Sequence, residues 1–181
     1  NLLSRSYSSA MKKNTLLVIF LLFVTASFSQ NYAIGHRQIT WIDSSRGNRP
    51  VKTEIYYPAA IAGDDVIVAP NGKKFPVLIF GHGYQLTFSS YQWLKDSLVP
   101  KGYFVAMPRT EEVLFPDHSS FARDMAFLAT AINRERTNIT SWLFGRVLPR
   151  YAVSGHSMGG GCALLSVQYS SLINTVIPLA A

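Results

Sequence analysis

The stretch Arg150-Tyr151-Ala152-Val153-Ser154-Gly155-His156-Ser157-Met158-Gly159-Gly160-Gly161-Cys162-Ala163-Leu164-Leu165 decides the fold. Residues 150–154 read as a strand, and residues from Gly160 onward read as a helix. Between them lies Gly155-His156-Ser157-Met158-Gly159, a G-x-S-x-G pentapeptide in the strand–turn–helix setting of a nucleophile elbow. In such a turn the strand and helix backbones almost touch, so Gly155 and Gly159 leave no room for a side chain. Ser157 is then held at the tip with its hydroxyl exposed, the candidate nucleophile. Gly159, Gly160 and Gly161 are poor helix formers, each about 1 kcal/mol worse than Ala. Close approach of the helix to the sheet and to a substrate is the expected compensation.

Working outward, the rest of the chain alternates strand and helix. Residues 37–43 suggest an edge strand, and residues 51–57 alternate as a half-buried antiparallel strand ending at Pro58. Pro76-Val77-Leu78-Ile79-Phe80 is apolar on both faces, as a covered parallel strand should be. Residues 91–99 read as a helix, 103–107 as a strand and 119–134 as a helix capped by Ser119 or Ser120. After a connector over 133–149 come the strand, the elbow, a helix to about residue 170 and a buried strand over 174–180. The expected fold is therefore α/β: a mostly parallel sheet with helices on both faces.

A serine nucleophile also needs donors for the oxyanion of a tetrahedral intermediate. One is the N–H of Met158, at the positive end of a helix. The other is expected from the loop His82-Gly83-Tyr84-Gln85 that follows the strand 76–80. Tyr84 is the chosen donor and Gln85 the alternative. His82 is expected to pin that loop through hydrogen bonds, His156 to be structural, and His36 to be exposed. Asp117 and His118 are adjacent, so they cannot jointly form an acid–imidazole–serine relay. Cys162 is the only cysteine and is expected to be a small core residue. No Cys/His cluster has the spacing of a zinc site, and Gly81-His82-Gly83 is no phosphate loop, so neither metal nor cofactor is expected.

The N-terminal residues have a grammar of their own. Residues 1–10 are Ser-rich and patternless and read as upstream, non-native sequence. From Met11, Lys12 and Lys13 precede a short apolar run over 16–24 and then small residues, an export signal over 11–29 with cleavage near Ser29 and Gln30. The run is shorter than the ~20 residues that span a bilayer, so no stable membrane anchor is expected. The protein is expected to be exported, to the periplasm or outside the cell. Removing residues 1–29 takes away Arg5, Lys12 and Lys13 and no acid, so the formal charge falls from +7 to +4. The remaining basic residues are scattered, which argues against nucleic-acid binding. The domain is expected to occupy 30–181.

All ten carboxylates and all four histidines precede Ser157. A relay in the order Ser, acid, His therefore has no acid or base after the serine. The reading expects a domain incomplete at its C-terminus, and expects this stretch alone to be inactive.

These residues give the chain a resemblance to the α/β-hydrolases, and within them to the compact branch of cutinase-like polyester hydrolases, dienelactone hydrolases, chlorophyllases and platelet-activating-factor acetylhydrolases. The resemblance runs from about residue 53 to 181, strongest over 75–84, 93–107, 144–150 and 151–165. It implies that Ser157 is the nucleophile, that Met158 and Tyr84 supply the oxyanion donors, and that Tyr84, Gln85 and Met158 contact substrate. Tyr84 further implies a clamp on an aromatic acyl group. The expected activity is cleavage of a small or polymeric carboxylic ester by a monomer, through an acyl-serine. Two alternatives remain: amide or C–C bond hydrolysis on the same fold, and a non-catalytic relative lacking the acid and His.

Overall fold

Strand β1 (Ala33–Asp43) turns through a 3-10 segment at Ser44–Arg46 and returns as β2 (Arg49–Ala59), the two paired antiparallel from Ala33↔Ala59 to Asp43↔Arg49. The structure is a computed structural model that describes residues 31–181. The segment 1–10 and the expected export signal over 11–29 lie outside the described residues. A two-residue strand, β3 (Gly63–Asp64), lies parallel to the start of β1. Then follow β4 (Phe75–Gly81), helix α1 (Gln92–Leu98), β5 (Phe104–Pro108), helix α2 (His118–Glu135), β6 (Val147–His156), helix α3 (Met158–Ser166) and β7 (Ile173–Leu179). The seven strands form one sheet in the order β3-β1-β2-β5-β4-β6-β7. Pairs β4–β5, β4–β6 and β6–β7 are parallel, and β2–β5 is antiparallel.

The apolar run in β4 is covered on both faces, as its composition demands. Val77 and Ile79 pack with Phe121, Met125 and Leu128 of α2 and with Cys162 and Ala163 of α3. Leu78 and Phe80 pack with Leu94 of α1, Tyr91 and Val99 on the opposite face. Period-two alternation thus feeds two cores from one strand. Two consecutive strand–helix–strand units leave β4 in opposite directions: the first leads to β5 on one side, the next returns to β6 on the other. The strand order reverses between β4 and β6, and ligands of open α/β sheets bind at the carboxyl ends of strands at such a reversal.

Several expectations are corrected. β2 is not half-buried, because Glu54 and Tyr56, on its supposedly open face, are 2% and 6% exposed. Tyr56 packs under α1, while Glu54 accepts bonds from His36 (2.8 Å), Gln38 (2.7 Å) and Arg109 (3.0 Å). The cap of α2 is Asp117, whose carboxylate accepts from the Ser119 and Ser120 amides, rather than either serine. β6 begins at Val147, inside the expected connector, where Val147 pairs with Phe75. α3 ends at Ser166 instead of about 170. β7 is not buried: it is an edge strand with Ile177 48% and Leu179 37% exposed.

A second charged cluster inside the fold centres on Asp124. Asp124 of α2 is fully buried and accepts from Arg46 (2.5 Å) and Arg49 (2.8 Å), tying the β1–β2 turn to α2. Breaking such a buried pair by removing one partner typically costs about 3–5 kcal/mol. Three other carboxylates respond to acid. For Asp43 burial raises the pKa, but bonds from Ser45 and Arg46 outweigh it and hold it below the usual value. In Glu54 burial is likewise overcome by His36, Gln38 and Arg109. Asp117 is lowered chiefly by the Ser120 amide. A depressed folded pKa gives stability that is complete above the unfolded value of about 4 and is lost as pH falls through the folded value. The urea midpoint is accordingly expected to fall between pH 5 and pH 3, and Glu54→Gln to flatten that fall; an unchanged slope in the variant would remove Glu54 from the account.

Candidate active site

At the reversal point Gly81, the last residue of β4, pairs with Gly155 of β6. The chain then turns sharply into α3. Ser157 has φ 54° and ψ −118°, a sparsely populated region for a non-glycine residue that persists only when its surroundings over-determine it. They do so here. The Ser157 amide donates to the Leu179 carbonyl of β7 at 2.8 Å, and the Ser157 carbonyl accepts the first helical bond from Gly161. A Cβ on Gly155 would overlap the Gly159 backbone, and a Cβ on Gly159 would overlap the carbonyls of Gly81 and His82. The tight approach inferred from the pentapeptide is thus present at both positions, and Ser157 is exposed at the tip. Gly161 behaves differently: nothing lies within 4 Å of a Cβ placed there.

Two segments adjoin this tip, the start of α3 and the loop after β4. Met158 is the first residue of α3, so its N–H is among those an α-helix leaves without an intrahelical acceptor. Its side chain is half-buried against the core formed with α2. The loop after β4 comes alongside, since a Cβ on Gly83 would stand 3.0 Å from His156 Nδ1. In that loop Gln85 is left-handed at φ 54°, and Leu86 N–H closes a turn onto the Gly83 carbonyl at 3.1 Å. Tyr84 is 47% exposed, with its hydroxyl donating to the Leu114 carbonyl at 3.0 Å. The loop brings both Tyr84 and Gln85, the two residues singled out from sequence, beside the elbow.

The histidines sort by their partners. His82 is buried, with Nδ1 3.0 Å from the Gly83 carbonyl, Nε2 2.9 Å from the Thr110 carbonyl and its ring against Phe121. It fastens the loop, as expected. His36 is not freely exposed: it is half-buried between Glu54 and Asp64, at 2.8 and 2.7 Å. His156 meets the Tyr91 hydroxyl at 3.0 Å. No histidine ring hydrogen-bonds the Ser157 hydroxyl among the described residues. Cys162 is buried, and burial, reinforced by Glu111 and Asp117, pushes its thiol up to about 11. It is therefore a poor nucleophile at neutral pH.

Sequence reasoning missed Tyr91, which it placed only as the first residue of a helix. An aromatic with a hydroxyl at a helix start carries no local signal, because its partners, Gly83 on the loop after β4 and His156 at the end of β6, are brought to it only by the fold. Among the described residues no cluster of His, Cys, Asp or Glu is arranged to hold a metal ion, and no helix is long and apolar enough to cross a membrane.

Comparison with known proteins places this geometry. The sequence matches the family described as PETase, PET hydrolase-like, over residues 27–181. Among solved structures 334 chains match. One is a ferulic acid esterase from Streptomyces cinnamoneus, 21% identical, with a TM-score of 0.62 over 82% of this chain and 59% of that chain. At that identity the likeness concerns the fold, and this chain spans 59% of the length of that neighbour. No curated protein matches the chain.

Proposed function

The chain belongs to the PET hydrolase-like family and has the α/β-hydrolase fold, and from that premise we propose that it is the nucleophile-bearing part of a carboxylic ester hydrolase. The observation that carries the reading is Ser157, held at a strained elbow at the sheet's reversal point, with the loop that bears Tyr84 and Gln85 alongside. In this reading Ser157 Oγ attacks the ester carbonyl carbon. The carbonyl oxygen takes the negative charge and is held by the N–H groups of Met158 and Tyr84, with Gln85 adjacent. Collapse of the intermediate expels the alkoxide and leaves the acyl group on Ser157, which water then removes. A serine hydroxyl needs an imidazole to take its proton. The reading requires that imidazole, and the carboxylate that orients it, from outside residues 31–181.

Substrate and setting follow from the same residues. Tyr84 tethers to a loop on which Val113, Leu114 and Phe115 are 55%, 57% and 87% exposed. That apolar rim supports an apolar acyl group or a polymeric ester. We place the protein outside the cytoplasm, from the signal over 11–29, and as a monomer that uses no cofactor.

The elbow does not itself specify the bond cleaved. The full-length gene product is expected to hydrolyse p-nitrophenyl butyrate at least about 100-fold faster, by kcat/KM, than the matching anilide, a difference of roughly 2.7 kcal/mol. A preference for the anilide or for a dienelactone would favour the amide or C–C reading, and no turnover at all would favour the non-catalytic one.

A further inference from the structure

The Tyr91 hydroxyl stands where the two halves of the site meet. Tyr91 is 5% exposed, and its ring packs on Phe80 with centroids 4.8 Å apart. Its oxygen accepts the Gly83 N–H at 2.9 Å and lies 3.0 Å from His156 Nδ1. Gly83 directly precedes Tyr84, and His156 directly precedes Ser157. One oxygen thus bonds the neighbour of each reacting segment. The roles of the protons follow from counting. An amide can only donate, so the Gly83 bond uses an acceptor site of the hydroxyl. The hydroxyl proton is then free to donate to His156 Nδ1. Were Nδ1 protonated, two donors would face one oxygen, and the buried hydroxyl proton would have no acceptor among the described residues. Burial raises the Tyr91 pKa, with the Gly83 amide opposing, so the hydroxyl keeps the proton it donates.

We propose that Tyr91 is a positioning residue: its hydroxyl clamps the loop bearing Tyr84 to the elbow bearing Ser157 and holds His156 as the Nε2–H tautomer. The catalytic consequence rests on the reading of Ser157 and Tyr84 given above; the clamp itself does not. Tyr91 touches no substrate. Its effect is to fix the spacing between nucleophile and oxyanion donor, where a misplacement of about 1 Å costs on the order of 100-fold in rate.

The test uses the full-length protein and three readouts: amide hydrogen exchange at Gly83, the histidine 15N spectrum, and kinetics on p-nitrophenyl butyrate. Tyr91→Phe is expected to speed Gly83 exchange by about tenfold or more. It should lower kcat by roughly 10- to 100-fold with KM within about twofold. His156 Nδ1 should be the unprotonated nitrogen in the wild type. Unchanged exchange and kcat in Tyr91→Phe, or a protonated Nδ1, would overturn the proposal. If Tyr91→Phe does not fold, His156 decides. His156→Asn keeps an acceptor near the Nδ1 position and should retain slow Gly83 exchange, whereas His156→Leu should lose it; equal exchange in the two overturns the clamp. A wild type without ester turnover would refute the esterase reading, while exchange and tautomer would still decide Tyr91.

Discussion

Ser157→Ala is expected to lower kcat on p-nitrophenyl butyrate by roughly 10⁴-fold or more in the full-length protein, with the residual rate owed to binding and the oxyanion donors. The size follows from what is removed. Without Oγ there is no acyl intermediate, and any hydrolysis left must proceed by direct attack of water. KM should change little, because the hydroxyl contributes no binding energy until the carbonyl carbon is attacked. The fold should survive as well. The Ser157 side chain is exposed, and the contacts that hold the turn, to the Leu179 carbonyl and from the Gly161 amide, are backbone contacts. Equal turnover by Ser157→Ala and wild type would sink the mechanism.

Gly159→Ala should be severely destabilising, and Gly161→Ala, two residues on, should be harmless. At Gly159 the new Cβ meets the carbonyls of Gly81 and His82, which belong to the end of β4 and the loop after it. Neither can yield without breaking the β4–β6 pairing that sets the site. Overpacking in yielding cores costs about 1–3 kcal/mol; against immobile backbone the upper end or more is expected, enough to threaten a domain whose total stability is about 5–15 kcal/mol. Gly161 faces open space, so Ala there should stabilise α3 by up to about 1 kcal/mol through helix propensity. Thermal unfolding of the two variants side by side checks the pair. A mild Gly159→Ala, or a Gly161→Ala as severe as it, would contradict the close approach on which the elbow depends.

The contrast between these two glycines also marks how far the sequence was legible. The pentapeptide located the turn, and the doubly apolar run in β4 announced a strand covered on both faces. Both signals are local and periodic, so the parallel sheet and the place of Ser157 were readable from residues alone. The run Gly159-Gly160-Gly161 suggested tight packing throughout. Only the structure separates the first, jammed against the end of β4, from the last, where an added Cβ would meet nothing. What escaped the sequence depends on distant partners. Glu54 looked like a solvent-facing strand residue, yet it is buried because His36, Gln38 and Arg109, from β1 and the end of β5, converge on it. Ser119 and Ser120 looked like helix caps, yet Asp117 is the cap because its carboxylate reaches both of their amides. β7 looked buried from its apolar composition, but composition cannot say whether anything lies over a strand. Tyr91 had no signal at all, since its partners Gly83 and His156 are joined to it only through the fold.

The central claim is that Ser157 carries the acyl group. Quenching the full-length protein in acid during turnover of p-nitrophenyl butyrate, followed by peptide mass mapping, tests it directly. The account predicts a butyryl adduct on Ser157, absent in Ser157→Ala. Turnover with the adduct on another residue, or with Ser157 unmodified under conditions where an acyl-enzyme accumulates, would contradict it.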